Sequence, residues 1–247
     1  MSNLKKPENL ILGFDVSNNN CSVAISRGEQ ILAYSEDSRP SVQAETLLPL
    51  IQQALEFAKL EYSNLDYLAL TCGPGSFTGI RIGNATAEGI LMASGNIKGL
   101  AISNFEINYY LLRNQIKSFD KAIILLNAYR GQLYYQEFDF YGRAKPCSLV
   151  DTAKATGLLF KDSDSAIACT GTGVAEIYDQ IKEKRNITIL PRFKRIRASA
   201  ICRYANSKIN SEDFDKNTLN IIKPLYIRPP DAIVCHPGKI MHDCTKR

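Results

Sequence analysis

The chain has 247 residues, 45% of them hydrophobic and 22% charged, with no Trp and a net charge of +5, the composition of an ordinary globular protein that can bury a real core. Seven cysteines, odd in number and without a C-x-x-C pair, argue against a disulfide framework, and no apolar run approaches the ~20 residues of a membrane helix. The opening MSNLKKPENL has no apolar segment behind its lysines, so the expectation is a cytoplasmic protein with no membrane partner. The charge is asymmetric. Residues 1–120 carry 9 Lys+Arg against 12 Asp+Glu, a net of −3, and the remainder carries +8. The densest basic stretch, KEKRNITILPRFKRIR from Lys182 to Arg197, fits either a solvated basic face or a phosphate-attracting patch, and no aromatic-rich RNA-binding module accompanies it.

In chain order, LILGFDVS and CSVAISRGEQILAYSE give three strands in a meander, with turns at Ser17–Asn20 and Arg27–Glu29. Ser41 is placed to cap a helix through ETLLPLIQQALEFAKL, where Leu47, Ile51 and Leu55 recur at helical spacing. Pro49 inside that pattern predicts a late start or a kink. LDYLALTC reads as a buried fourth strand ended by GPG. A second helix follows from about Thr78 to Ser94, with Gly95 as its stop, and KGLAIS is the next strand. Further on, FEINYYLLRNQIK reads as a helix, KAIILLN and QLYYQEFDF as a hairpin around AYRG, and SAIACTG as a strand leading through TGTG into a helix VAEIYDQIKEK. Alternating strands and helices of this length predict an α/β protein with mixed sheets. The lobe boundary falls near residues 103–106, dividing the chain into residues 1–104, residues 105–228 and a tail, 229–247.

The loop CGPGSFTGI poses the central functional question. It lacks the Gly-Lys of a Walker A loop, and Thr78 stands where a dinucleotide fingerprint needs its third glycine. A structural turn is therefore the favoured reading, with anion contact by bare amides of Gly73, Gly75 and Ser76 as the alternative. Asp15 and Ser17, at the end of the first strand, are the other candidate nucleotide or anion contacts; a turn-capping role for Asp15 is the competing reading. Gly79, Gly83 and Ala87 stand four apart and form a row without bulk that predicts close packing by a neighbouring helix. The candidate partner interface is Leu47, Leu48, Ile51 and Leu55 of the first helix with Gly79, Arg81, Gly83, Ala87 and Ile90 of the second. For each single residue, burial in the chain's own core is the competing reading. The only histidines, His236 and His242, lie in the tail with Cys235 and Cys244, at a spacing poor for structural zinc. No Ser-His-Asp triad, H-E-x-x-H or G-x-S-x-G is available, so neither a catalytic residue nor a metal ligand is assigned.

The combination ILGFDVSNNNCSVAI, AETLLPLIQQAL, LALTCGPGSFTGIRIGNATAEGILMA, ISNFE, NAYRGQLYYQEF, CTGTGV and PLYIR resembles the TsaB (YeaZ) family, in order from Leu10 to Arg228. The resemblance implies a two-lobed actin/Hsp70-like, RNase H-like fold. It implies a role as the non-catalytic subunit of the complex that makes threonylcarbamoyladenosine (t6A) beside the anticodon of tRNAs reading codons that begin with A. It also implies docking on a TsaD-like transferase through the first two helices, self-pairing through the same surface, an associated TsaE-like ATPase, and tRNA contact through the complex. No cofactor is expected on the chain alone, with ATP or ADP a candidate at a subunit interface. Asn127, Ala128 and Tyr129 stand where family members commonly have Asp-Ala-Arg, and the tail has no counterpart. Two other readings stand beside this one: an ATP-dependent enzyme using Asp15, Ser17 and the two glycine loops, and an autonomous RNA-binding protein using Lys182 to Arg197.

Overall fold

The computed structural model describes residues 8–228, apart from 19, 40, 117, 162–163 and 192–194. The chain opens with the expected meander, β1 (Leu10–Asp15), β2 (Cys21–Arg27) and β3 (Gln30–Asp37), with β2 antiparallel to both neighbours. Then come α1 (Gln43–Ala58), β4 (Tyr67–Gly73), α2 (Phe77–Ser94), β5 (Lys98–Ser103) and α3 (Asn104–Ile116). The second half supplies β6 (Lys121–Asn127), β7 (Gln132–Asp139), β8 (Ser148–Asp151), α4 (Thr152–Leu159), β9 (Ile167–Thr170), α5 (Tyr178–Ile181), β10 (Ile187–Ile189) and α6 (Ala198–Ile209).

The two sheets run β3-β2-β1-β4-β5 and β10-β9-β6-β7-β8. Read from its own first strand, each sheet has the same plan. The first strand is central, the second and third are antiparallel on one side, and the fourth and fifth are parallel on the other. The parallel pairs are reached by helical crossovers; in the first sheet these cover one face and α6 covers the other, which allows β1 and β4 to be apolar almost throughout. Ile11, Leu12, Phe14, Leu68, Ala69 and Leu70 are fully buried. α1 covers one face of the first sheet, where Leu47, Ile51, Ala54 and Leu55 join Leu12, Phe14, Val23 and Ile25.

The other face of the first sheet is covered from far away in sequence. Ile201, Cys202 and Ala205 of α6 pack on Ile11, Ala24, Ala69 and Leu100. The approach is close at Gly13, where a Cβ would stand 2.6 Å from the Cys202 sulfur. α3 does the reciprocal work: Phe105, Leu112 and Ile116 pack on Ala122, Ile124, Leu126 and Phe138 of the second sheet. The two crossing helices meet at Glu106. Ser103 and Glu106 form a reciprocal cap on α3, the Ser103 amide donating to Glu106 Oε2 (2.8 Å) and the Glu106 amide to Ser103 Oγ (3.1 Å). Lys208 and Tyr204 of α6 donate to Glu106 Oε1 at 2.6 and 3.2 Å. Beyond α6, residues 219–228 run back across both lobes. The Asn220 amide donates to the Gly99 carbonyl (2.8 Å), the Leu225 amide to the Cys72 carbonyl (2.8 Å), and the Arg228 guanidinium to the Ala128 carbonyl (2.8 Å).

Three local expectations are corrected. Ser41 is not the cap of α1. It lies in the left-handed region (φ 63°), Val42 occupies the capping position, and Gln43 anchors the start by donating to the Asn18 carbonyl (3.0 Å). α1 does not start late, and it runs from Gln43 to Ala58 with Pro49 inside it. The amide that Pro49 lacks would have served the Glu45 carbonyl, and both residues are exposed, so water can replace that bond. VAEIYDQIKEK is not one helix but a 3-10 turn, Thr172–Glu176, followed by the four-residue α5. Val174 and Ile177 reach the core at a three-residue interval, which a 3-10 turn satisfies as well as an α-helix.

Burial opposes ionisation of Glu106, but Lys208 and the Ser103 cap outweigh it and hold the carboxyl below its ordinary range. A depressed carboxyl pKa contributes stability above the unfolded value, near 4.5, and loses it as pH falls through the folded value. Urea denaturation should show Glu106→Gln less stable by about 1–2 kcal/mol at pH 7, with the gap closing on acidification below about pH 4.

Candidate functional site

The loop after β4 is a structural turn whose Ser76 amide is already engaged. A Cβ on Gly75 would overlap the Ser17 carbonyl oxygen, and the Ser76 amide donates to that same oxygen at 2.7 Å. Ser76 then caps α2, its Oγ accepting from the Gly79 amide at 3.2 Å. Gly73 has φ 108°, a conformation closed to most side chains. Asn104, from the start of α3, ties the loop to the first strand by donating to Ser17 Oγ (2.9 Å) and to the Pro74 carbonyl (2.7 Å).

Asp15 organises the facing turn. Its Oδ1 accepts from the Ser17 amide (3.1 Å), Ser17 Oγ (2.6 Å) and Thr71 Oγ1. The side chain is fully buried, and that burial, set against these donors, pushes the carboxyl above its ordinary range. A carboxylate meant to hold a magnesium nucleotide needs open oxygens facing solvent and amides free to meet phosphate. Here Asp15 is sealed, the Ser76 amide is taken, and among the described residues no lysine lines the cleft above it. The residues present do not fit a bound triphosphate.

The glycine row of α2 faces inward, which corrects the expectation that it meets a second chain. A Cβ on Gly79 would overlap the Val16 carbonyl oxygen, and one on Gly83 would stand 2.8 Å from Val16 Cγ2. Ala87 and Ile90 are buried on the same side, and Leu47, Ile51 and Leu55 of α1 are core residues at 3% exposure or less. The row is bare because the β1–β2 turn occupies that space. Of the nine residues expected at a partner surface, Leu48 and Arg81 are exposed.

Another side of α2 is open. A groove of about 660 Å³ runs along it, lined by Leu48, Tyr62, Ala85, Gly89, Ile90 and Ala93 among others. A Cβ on Gly89 would meet nothing within 4 Å, Leu48 is 54% exposed, and Met92, on the adjoining side of the helix, is 86% exposed. At the start of α2, Arg81 lies 3.8 Å over the half-exposed Phe77 ring, and its Nε donates to Tyr226 Oη at 3.0 Å. Sequence reasoning missed the groove because the residues that line it are small. The available signal was Ala85, Gly89 and Ala93, a second row four apart on the same helix as the first.

The second lobe repeats the cleft geometry with neutral groups. Gly171 (φ 112°) packs on the Leu125 carbonyl as Gly75 packs on Ser17. Asn127 occupies the position corresponding to Asp15, its Nδ2 donating to Glu176 (2.9 Å) and its Oδ1 accepting from the Tyr129 amide (2.7 Å). A carboxylate could not make the first of these bonds. In the basic segment, Lys182 pairs with Asp179 (2.7 Å) and Arg195 with Glu36 (3.2 Å). The Cys235, His236, His242 and Cys244 cluster lies outside the described residues. Among the described residues no group of three or more His, Cys, Asp or Glu side chains is arranged to hold a metal ion, and no helix is long and apolar enough to cross a membrane. The described cysteines are free thiols, and burial pushes those of Cys72 and Cys202 up to about 12.

Two mixed sheets of one strand order, with the loops of their central strands facing a shared cleft, define a two-lobed actin-like protein. Residues 42–232 match the family model described as TsaD, tRNA N6-adenosine threonylcarbamoyltransferase, so the chain belongs to that family; its curated relatives place it with the TsaB/YeaZ proteins. It is 34% identical over 131 residues to the tRNA threonylcarbamoyladenosine biosynthesis protein TsaB of Buchnera aphidicola (Schizaphis graminum), covering 52% of this chain and 60% of that protein. It is 33% identical over 84 residues to TsaB of Escherichia coli K12, covering 34% and 36%. The chain thus spans about three fifths of the length of the first of these relatives. The solved structure of YeaZ from Pseudomonas aeruginosa shares the fold, with a TM-score of 0.66 and 21% identity over 88% of this chain and 99% of that one. A second Pseudomonas aeruginosa structure, described as similar to peptidase YEAZ, gives a TM-score of 0.71 and 20% identity over 89% and 100%.

The two sides of α2 should respond oppositely to the same substitution. Gly79→Ala forces a methyl against a backbone carbonyl and is expected to destabilise by at least about 2–3 kcal/mol. Gly89→Ala meets open space and is expected to stabilise by about 0.5–1 kcal/mol. Thermal or urea unfolding of both variants checks the assignment of faces.

Proposed function

We propose that this chain is a non-catalytic subunit of the machinery that installs t6A in tRNA, and that it docks on a TsaD-like transferase through the open side of α2 and the adjoining part of α1. The observation that carries this reading is the apolar groove at Leu48, Tyr62, Ala85 and Gly89, where no side chain among the described residues covers Gly89. Small residues along a helix let a second helix approach closely, and the exposed Leu48 and Met92 add apolar area at the rim. Support for the non-catalytic role comes from the cleft, where the one carboxylate at the end of β1 is sealed behind Ser17 and Thr71. The relatives' shared name supplies the pathway.

In this reading the same groove serves self-pairing when the transferase is absent. A TsaE-like ATPase and tRNA join through the complex, and ATP or ADP is held at a subunit interface rather than by this chain's own loops. An ATP-dependent enzyme acting alone is disfavoured by the engaged Ser76 amide and by the absence of lysine from the cleft lining among the described residues.

Gly89→Arg and Leu48→Glu place charge in the groove without touching the core. Both should abolish co-purification with a TsaD-like transferase and drop t6A formation in a reconstituted reaction at least tenfold, while the unfolding free energy stays within about 1 kcal/mol of the parent. Undiminished co-purification of both variants would refute the docking surface.

A further inference from the structure

Phe77, Arg81, Ala85, Gly89 and Ala93 stand four apart on α2, and the last three line the apolar groove. The row carries the outward side of the helix back from the groove to the first turn, where Arg81 is held from two sides. Its guanidinium lies 3.8 Å over the Phe77 ring, and its Nε donates to Tyr226 Oη at 3.0 Å. Phe77 opens the helix itself, whereas Tyr226 is 145 residues from Arg81, on the segment that runs back across both lobes. The two rings are 5.4 Å apart and each is about half exposed. A guanidinium has five N–H groups, and one is given to Tyr226. The other four find no acceptor among the described residues, and no carboxylate there pairs with Arg81. Glu88, exposed and two turns on, is about 10 Å away along the axis, too far to reach it.

We propose that Arg81 is the charged anchor of the docking surface, taking the carboxylate of an Asp or Glu side chain on the TsaD-like transferase, and that Tyr226 is its positioning residue. The inference rests on the docking reading above. Terminal guanidinium nitrogens bind a carboxylate bidentately in one plane, and a fork already fixed by a ring and a hydroxyl loses little freedom on binding. The Tyr226 hydroxyl accepts from Nε and keeps an O–H to give to the same anion. Arg and Tyr are the residues enriched at interface hot spots, and cover by a partner strengthens an ion pair beyond its small worth in open solvent. A protein carboxylate fits this place better than an RNA phosphate. The surface beside Arg81 is apolar, with Ala85, Gly89 and Met92 exposed. Residues 1–120 carry 9 Lys+Arg against 12 Asp+Glu, a net of −3, which repels a nucleic-acid backbone.

Calorimetric titration of the full-length chain into a TsaD-like transferase tests it, with Gly89→Arg as the control for the groove. Arg81→Ala should weaken binding about tenfold and flatten its salt dependence between about 50 and 300 mM KCl, because the ion pair is then gone. Arg81→Lys keeps the charge without the fork and should stay at least about threefold weaker than the parent. Tyr226→Phe should weaken the parent about threefold and Arg81→Ala no further, a non-additivity that a purely structural role for Tyr226 would not produce. Every variant at these two positions should unfold at the parent temperature. Arg81→Ala binding within about twofold of the parent, while Gly89→Arg abolishes binding, overturns the anchor and leaves the docking surface standing. Undiminished binding in both overturns the two together. Loss of tRNA affinity in Arg81→Ala with transferase affinity kept overturns the protein carboxylate, and an equal loss from Tyr226→Phe in both backgrounds overturns its positioning role.

Discussion

The structure depends on the contact between the bare side of α2 and the turn after β1. Gly75 and Gly79 let the loop and first turn of α2 rest directly on the carbonyls of Ser17 and Val16, and Gly83 continues that contact onto the Val16 side chain. No residue larger than glycine can occupy the first two positions without moving backbone. This contact joins the ends of β1 and β4, the two central strands of the first sheet, and it seals Asp15 behind Thr71 and Ser17. Because one side of α2 is fixed in this way, the other side is turned outward with Gly89 and Met92 in solvent. A loop whose composition suggests phosphate binding has instead become a means of orienting a helix.

The lobes are tied by exchange rather than by a wide flat interface. α6 returns from the second half to cover the first sheet, α3 lies on the second, and Glu106 joins the two helices through Lys208 and Tyr204. Residues 219–228 add a strap that leans on β5 at Gly99, on the end of β4 at Cys72 and on the β6–β7 turn through Arg228. Removal of either half would therefore expose the other's core, and the cleft has walls whose relative position is set by several independent contacts. The apolar groove on the first lobe and the cleft between the lobes share no lining residue.

Much of the fold was legible in the sequence because its elements carry strong local signals. The meander, β4 and β5 are apolar runs cut by turn residues, and α2 runs from just after the Ser76 cap to Gly95, close to the expected bounds. The segments that escaped notice are short or lean on small residues: β8 and β10 are four and three residues long, and α6 meets the sheet with Ala198, Ile201, Cys202 and Ala205, of which Ile201 is the one large aliphatic side chain. The site was half legible. The glycine row was recognised as a close-packing surface, but one sequence cannot say what packs there, because bare residues serve a backbone carbonyl of the same chain as well as a foreign helix. What separates the two is the position of the Val16 carbonyl, set by the β1–β2 turn some sixty residues earlier. In the basic stretch from Lys182 to Arg197, Lys182 and Arg195 are paired with Asp179 and Glu36.

Amide hydrogen exchange on the chain with and without a TsaD-like transferase tests the orientation of α2 most directly. Protection on complex formation is expected along residues 85–94 and around Leu48 and Tyr62, with the amides of Ser76, Gly79 and Ile80 equally protected in both states because they are hydrogen-bonded within the chain already. Protection centred on residues 73–79 or on the 127–131 turn, with 85–94 unchanged, would contradict the account.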